Sequence, residues 1–127
     1  MSTNLQETFQ QATSLFNAGD YDGLGRIFDI DAIMKRVDDP GSIVGLGNLM
    51  AYLNTHQRPL MPQFQNPVVQ YATGDQGTQG IIVGTANYLD KQSDRTTIPV
   101  QFTFVFARED TSSDWLLVNA FAVPTQR

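Results

Sequence analysis

Arg36 and Asp38 are the charged residues whose types and spacing could do chemistry in this sequence. They end a segment, Asp31 to Asp38, whose period of two predicts a β-strand, and this period places them on one face with Ala32 and Met34. The planar fork of an arginine fits the oxygens of a carboxylate or a phosphate, and it also suits an enolate oxygen. We therefore predict that Arg36 binds such an oxygen and that Asp38 orients it. The alternative is a surface ion pair beside the turn "DDPGS", worth about 0–1 kcal/mol.

The other polar candidates are fewer and more isolated. His56, the single histidine, lies near the end of a predicted helix, where a partly exposed structural residue is the alternative to a catalytic one. Asn87 and Tyr88 are neighbours on a predicted strand, so only one of them can face the interior. Packing is the alternative role for these two, and also for Thr85 and Asn119. One histidine and no cysteine give no metal-ligand spacing and no Ser-His-Asp set, so the sequence predicts no metal and no cofactor.

Three helices are predicted in the first half of the chain. Apolar residues recur at helical spacing from Leu5 to Phe16, and Gly19 is placed to end this helix. Asp20 follows and can accept hydrogen bonds from the free N–H groups of a second helix, over Tyr21–Phe28. The third apolar pattern starts at Ile43 and ends near His56. The break after the first helix lets two helices cross one surface at an angle.

Strands are predicted for the second half of the chain. The segment "RPLMPQFQNP" carries three prolines and is expected to be an irregular connection. Strands follow over Val68–Thr73, "IIVGTANYL", "TTIPVQFTFVFARE" and "WLLVNAFAV", separated by turns rich in Gly, Asp and Ser. Val100, Phe102, Phe104 and Phe106 share one face of the long third strand. Helices followed by antiparallel strands predict an α+β fold with helices on one face of a sheet.

Composition narrows the class of protein. The 127 residues fit one domain, which we assign to 1–127, and the hydrophobic content of 41% supports a packed core. The net charge of -5 without a basic cluster disfavours binding to nucleic acid or to an anionic membrane. The start "MSTNLQETFQ" lacks the features of a signal peptide, and no apolar run reaches membrane-spanning length. Together with the absence of cysteine, this predicts a soluble cytoplasmic protein.

The order of elements and the stretch "NAGDYDGLGRIFDIDA" resemble the nuclear transport factor 2-like (NTF2-like) superfamily. This group includes ketosteroid isomerase, scytalone dehydratase, limonene epoxide hydrolase and SnoaL-type polyketide cyclases. The stretch is similar to the end of helix one, helix two and the first strand of ketosteroid isomerase. "GSIVGLGNLMAYL" and the final "WLLV" also fit the family pattern. The resemblance covers nearly the whole chain and implies a strongly curved, mostly antiparallel sheet that wraps about three helices as a cone.

The resemblance does not carry the isomerase chemistry with it. Ketosteroid isomerase uses an aspartate base and an oxyanion hole made of a tyrosine and a protonated aspartic acid. Alignment on "NAGD" places Ala12 at the tyrosine, Arg36 at the base, and Val100 or Phe102 at the second aspartate. A methyl group cannot donate a hydrogen bond, and a permanently charged guanidinium cannot abstract a proton. An epoxide hydrolase relay would need a second carboxylate beside Arg36 and Asp38, and the sequence offers none.

Two functions follow from the resemblance, and the content of the cone separates them. A hollow cone would bind a small apolar ligand with one anionic or carbonyl oxygen, as a binding protein or a SnoaL-like enzyme. A cone filled by its own side chains would be a non-enzymatic dimerisation or protein-interaction domain. Small residues such as Gly84 and Ala120 favour a hollow cone, whereas the phenylalanine stripe favours a cone filled by side chains. The candidate ligand-contacting residues are Arg36, Asp38, Met34, Phe16, Tyr88, Phe102 and Phe104.

The last strand is apolar on both faces and predicts a partner. Strict alternation puts Trp115, Leu117 and Phe121 on one face and small residues, including Ala120 and Ala122, on the other. The small residues suit the inside of the cone, so the large ones would cover the outer face. Family members commonly dimerise through that face. We therefore expect a homodimer with Trp115 or Phe121 near the interface.

Overall fold

The computed structural model describes residues 4–35, 42–55, 63–74, 76–90 and 96–125. Three helices and six strands occur in these residues. In chain order they are α1 (Leu5–Ala18), α2 (Tyr21–Gly25), β1 (Phe28–Lys35), β2 (Ser42–Val44), α3 (Leu46–Thr55), β3 (Gln63–Thr73), β4 (Gln79–Asp90), β5 (Thr96–Ala107) and β6 (Leu116–Pro124). None of the helices in these ranges has the length and apolar character needed to cross a bilayer.

The six strands form one mixed, open sheet in the order β2-β1-β6-β5-β4-β3. Four of the five strand pairs are antiparallel, and β1 with β6 is the parallel pair. Helix α1 packs against β3 and β4, and α3 packs against β1 and β2. Register shifts within β1, β3 and β6 mark bulges, which bend strands. The predicted α+β fold, with about three helices on a curved and mostly antiparallel sheet, is confirmed.

Local capping explains where α1 begins and ends. Asn4 and Glu7 form a capping box, in which each side chain accepts from the other's backbone N–H. Gly19 ends the helix at φ 74°, a left-handed conformation that glycine adopts without a Cβ penalty. The Asp20 side chain then accepts from the Gly23 N–H at 3.0 Å and begins α2. The stop and the cap predicted at Gly19 and Asp20 are confirmed.

Three predicted element boundaries are wrong. Helix α2 ends at Gly25 rather than at Phe28, because two of its five residues are glycines, which favour the helix least after proline. Phe28 instead begins β1, three residues before the predicted start of this strand. Ile43 was expected in the third helix but lies in β2, opposite Met34, and α3 starts only after Gly45, at φ 92°.

The described part of the proline-rich segment, residues 63–67, is also more regular than predicted. Residues from Gln63 onward belong to β3, which includes the predicted strand Val68–Thr73. Asn66, at φ 52°, and Pro67 lie in the bulge between Gln65 and Val68. Because β3 is an edge strand, a proline there removes no bond to a further strand.

A bulge in β6 overturns the predicted faces of the residues that precede it. Val105 lies opposite Asn119 and Phe106 lies opposite Leu117, so Val118 is an extra residue between them. Leu117 therefore faces inward, and Trp115 is part of the same core at 2% exposure. The expectation that Trp115 covers the outer face is wrong.

Phe121 keeps its predicted outward position. It lies opposite Thr103, on the face that points away from the core. Beyond the bulge the alternation is regular, so Ala120 and Ala122 face inward, as predicted.

The turn between β5 and β6 is held by Asp110. Its carboxylate accepts hydrogen bonds from the Ser112 N–H at 2.9 Å, the Ser112 hydroxyl at 2.7 Å and the Ser113 hydroxyl at 3.0 Å. These bonds favour the charged form and lower the pKa of Asp110 below its ordinary value. Arg108, at the start of the turn, lies over the Trp115 ring, with its guanidinium carbon 4.1 Å from the ring centroid.

Candidate functional site: the inner face of the sheet

The inner face of the sheet carries a row of apolar residues that the strand registers align. Ile43 pairs with Met34, Met34 with Ala120, Ala120 with Phe104, and Phe104 with Ile82. Partners in register project to the same face, so these five side chains cross five strands side by side. They lie under α1 and α3 and belong to the core or pack against it.

Phenylalanine rings fill much of the space between α1 and the sheet. Phe9 of α1 stacks on Phe102 at a centroid distance of 5.2 Å, and Phe64 of β3 meets Phe102 edge-on at 5.1 Å. Phe104 contacts the same two rings, Phe9 at 5.2 Å and Phe64 at 5.9 Å. Offset and edge-on pairs at these distances are favourable. We call Phe9, Phe64, Phe102 and Phe104 the aromatic cluster.

The space that Gly84 leaves is taken up by this cluster. A Cβ built on Gly84 would lie 2.5 Å from the Cζ atom of Phe102 and would overlap the carbonyl oxygen of Val68. Gly80 is similar, since a Cβ there would lie 2.7 Å from a methyl carbon of Leu5. The small residues of β4 therefore accommodate neighbouring side chains.

Solvent nevertheless reaches the inner face at Phe104. Its neighbours on that face, Phe102 and Phe106, are both 0% exposed, whereas Phe104 is only partly buried. Met34 and Ala122, on the β1 and β6 side of Phe104, are also partly buried. We call Met34, Phe104, Ala120 and Ala122 the inner cleft. On the β6 side, Ala120 and Ala122 present only methyl groups next to the phenylalanines of β5.

The last turn of α1 is fastened to the edge of the sheet. The Asn17 side chain donates from Nδ2 to the Phe64 carbonyl oxygen at 2.8 Å and accepts from the Phe64 N–H, through Oδ1, at 2.9 Å. Phe16, the preceding residue, is partly buried and packs against the core.

The predicted site residues separate into three groups. Met34, Phe16 and Phe104 are partly buried, so they retain some accessible surface. Tyr88 and Phe102 are buried at 7% and 0% exposure. Arg36 and Asp38 lie outside the described residues, as does His56.

Two further sequence expectations concern these positions. Tyr88, in register with Phe64 and Ile98, is the member of the Asn87–Tyr88 pair that belongs to the core. Asn87, in register with Gln65, lies on the other face of β4. Alternation along the strand correctly predicted that only one of the two would face inward.

The inner cleft is apolar. Its four side chains carry no charge and offer no proton donor or acceptor, so they can bind hydrocarbon surface but cannot themselves transfer a proton. Over the described ranges, no group of three or more His, Cys, Asp or Glu side chains lies close enough together to hold a metal ion.

Sequence reasoning missed the contributions of Phe64 and Asn17. Phe64 lies in the proline-rich segment that was expected to be irregular, and Asn17 precedes the helix stop without any apolar or charged signal. The one available signal was the phenylalanine itself, four residues before Val68, in a segment otherwise rich in glutamine and proline.

The outer face of the sheet is also largely apolar, and it is partly exposed. One registered row runs Val44, Ile33, Asn119, Val105, Ile81, and a second runs Phe121, Thr103, Val83, Tyr71. Val44 is 55% exposed and Tyr71 is 56% exposed. These nine residues carry no charge, although the register continues from Phe121 to Lys35 of β1 and the whole chain carries a net charge of -5. We call these nine residues the outer face.

Comparison with known proteins locates this architecture among solved structures. A provisionally assigned calcium/calmodulin-dependent protein kinase type II association domain from Thiobacillus denitrificans matches with a TM-score of 0.77 and 14% identity, over 99% of this chain and 98% of that one. A ketosteroid isomerase-like protein from Erwinia carotovora atroseptica matches with a TM-score of 0.76 and 10% identity, over 97% and 95% of the two chains.

A third structure carries the name of the fold. An NTF2-like protein with a cystatin-like fold from Novosphingobium aromaticivorans matches with a TM-score of 0.73 and 14% identity, over 97% of this chain and 80% of that one. No protein-family model matches the sequence, and a search of curated proteins found no match. At these identities the similarity establishes architecture and not activity. The chain has the NTF2-like, cystatin-like α+β fold.

Proposed function

We propose that this protein binds a small, largely apolar molecule in the inner cleft. The observation that carries the proposal is the partial exposure of Phe104 between two fully buried phenylalanines. An apolar ring at the floor of a sheet would ordinarily be covered, and covering it with ligand removes hydrocarbon from water at about 25 cal/mol per Å². Met34 and the alanines would form the rest of the contact.

The ligand's oxygen atom is the second part of the proposal. Met34 lies on the inner face near the end of β1, and Arg36 follows it by two residues in the sequence. Arg36 would bind an anionic or carbonyl oxygen, with Asp38 orienting the guanidinium, as expected from the sequence alone. This part is tested by Arg36→Met, which should weaken binding of a carboxylate probe but not of a neutral analogue. Equal binding of the carboxylate by both proteins would contradict it.

The apolar part is tested with anilinonaphthalene sulfonate, a fluorescent apolar probe that carries an anionic group. Ala122→Phe should fill the space beside Phe104 and weaken probe binding by roughly tenfold or more, since this corresponds to about 1.4 kcal/mol. Ala51→Phe makes the same change at an exposed position of α3 and is the matched control. Circular dichroism confirms that both variants are folded. Equal probe affinity in the two variants, or no binding to the wild type, would contradict the proposal.

Self-association is a second candidate function, and the outer face favours it. Exposed apolar surface is typical of an interaction site, and the nine residues of the outer face carry no carboxylate through which two acidic chains would repel each other. We expect a homodimer through the outer face, with Phe121 near the interface.

The dimer is tested by sedimentation at micromolar concentration. Tyr71→Asp places a charge in the outer face and should yield a monomer, whereas Gln76→Asp, in the exposed turn between β3 and β4, should leave the dimer intact. A monomeric wild type would contradict this candidate function and leave the inner cleft as the sole proposal.

A further inference from the structure

The side chain of Asn17 forms a pair of hydrogen bonds that simple packing of α1 against the sheet would not require. One carboxamide pairs with both backbone groups of one residue, Phe64, across 47 positions of sequence. In an antiparallel strand the N–H and C=O of one residue point to the same side. Since β4 lies on the other side of β3, the Phe64 groups point toward the open edge of the sheet, where no strand is present among the described residues. Asn17 therefore takes the place that a residue of a neighbouring strand would occupy.

The two elements that Asn17 joins are those that cover Phe104. Phe9 belongs to α1 and Phe64 belongs to β3, and their ring centroids lie 5.2 Å and 5.9 Å from that of Phe104. A shift of α1 relative to β3 would move one covering ring relative to the other. If Asn17 fixes this separation, it would also influence how much of the Phe104 ring these two residues cover.

We propose that Asn17 is a positioning residue that sets the opening of the inner cleft by fastening α1 to the edge of β3 at Phe64. This inference rests on the proposed function for its ligand, but the fastening itself is independent of any ligand. It also gives the "NAGD" stretch two distinct parts. Gly19 and Asp20 end one helix and begin the next, whereas Asn17 ties that junction to the sheet.

An acid in place of the amide provides a specific test. A protonated carboxyl group can donate to one partner and accept from the other, as the carboxamide does, whereas a carboxylate can only accept. The carboxyl introduced by Asn17→Asp would therefore satisfy both Phe64 groups only when protonated. The Phe64 carbonyl oxygen and the carboxyl end of α1 would raise the pKa of this carboxyl, whereas the Phe64 N–H would act in the opposite direction. No residue of β3 carries a charge that could oppose this effect.

The experiment compares Asn17→Ala, Asn17→Asp and Gln11→Ala, an exposed control on α1. The first readout is hydrogen exchange at the Phe64 amide, and Asn17→Ala should accelerate it about tenfold relative to the control. The second readout is the affinity for anilinonaphthalene sulfonate between pH 4 and pH 8. This range extends from near the ordinary pKa of a carboxyl group to well above it. The sulfonate of the probe remains ionised throughout. Asn17→Ala should bind the probe several-fold more weakly at every pH, since a lost pair of bonds loosens both covering rings. At neutral pH, Asn17→Asp should bind the probe as weakly as Asn17→Ala does. As the pH falls, its affinity should return to that of the wild type.

The outcomes separate this inference from the proposed function. Wild-type probe affinity in Asn17→Ala, or an Asn17→Asp affinity that does not recover in acid, would overturn the positioning role. If the wild type does not bind the probe, the proposed function fails, and exchange at Phe64 then decides the fastening alone. Faster exchange in Asn17→Ala supports the fastening in that case, and exchange equal to that of Gln11→Ala overturns it.

Discussion

Truncating two neighbouring phenylalanines should cost this protein different amounts of stability. Phe102 is 0% exposed and its ring lies 5.2 Å from Phe9, 5.1 Å from Phe64 and 5.5 Å from Phe104. Phe102→Ala would leave an enclosed cavity, so we expect a loss of about 3–5 kcal/mol in the free energy of unfolding. Phe104 has comparable ring contacts, but part of its ring already meets solvent. Phe104→Ala should therefore cost less, about 2 kcal/mol. Solvent can enter the vacated space, and the substitution removes less buried apolar surface.

Urea unfolding followed by tryptophan fluorescence measures both changes, since Trp115 is the single tryptophan and is buried. Unchanged denaturant slopes would show that the comparison concerns stability and not the extent of unfolding. A domain of this size is stable by about 5–15 kcal/mol, so both variants should fold. If an alanine variant does not fold, Phe102→Leu and Phe104→Leu allow the same comparison with smaller losses of stability. Equal costs, or a larger cost for Phe104, would refute the argument that Phe104 borders an open cleft.

Three further predictions concern packing, a turn and a helix cap. Gly84→Ala should lower stability by about 1–3 kcal/mol in urea unfolding, because the new Cβ would overlap Phe102 and backbone; a neutral effect would show that β4 can move. Asp110 should titrate by NMR below its ordinary pKa, so its contribution to stability is present above that value and is lost as the pH falls through the lowered pKa; an ordinary pKa would show that the bonds from Ser112 and Ser113 do not persist in solution. Asn4→Ala should cost about 1 kcal/mol in the same urea assay through loss of the α1 cap; no loss would show that the capping box adds nothing.

Local chemistry made much of the fold predictable. Helix α1 could be bounded because an apolar stripe ends at a glycine and an aspartate follows, and each of these features acts within a few residues. The inward face of β5 followed from strict alternation at Val100, Phe102 and Phe106, all now fully buried. Patterns of this kind need no knowledge of a partner strand.

The errors arise where a partner strand decides the structure. The extra residue at Val118 reverses the predicted faces at Trp115 and Leu117 but not beyond the bulge, and it is defined only against Val105 and Phe106 of β5. Pro67 suggested an irregular segment because a central strand would exclude it, and only the position of β3 at the sheet edge permits it.

The sequence predicted the residue types of the candidate site, but not whether these residues leave an open cleft. Alternation placed Met34 with Ala32 and Phe104 with Phe102, the family resemblance turned the Met34 face inward, and the sequence showed small residues beside large ones. Whether a small residue leaves a cleft depends on which side chain fills the gap: Phe102 fills the gap at Gly84, whereas Ala122 remains partly exposed. These volumes depend on tertiary packing, which a strand pattern does not encode.

The most direct test of the proposed cleft is a titration of methyl-labelled methionine by NMR. The chain has four methionines, so each gives one resolvable methyl signal, and Met34 is assigned from Met34→Leu. Met50, which packs against Gly25 in α2, serves as the internal reference. Addition of anilinonaphthalene sulfonate should shift the Met34 signal more than the Met50 signal and produce nuclear Overhauser contacts between the Met34 methyl group and the probe. Binding of the probe with no shift and no contact at Met34 would show that the ligand site lies elsewhere.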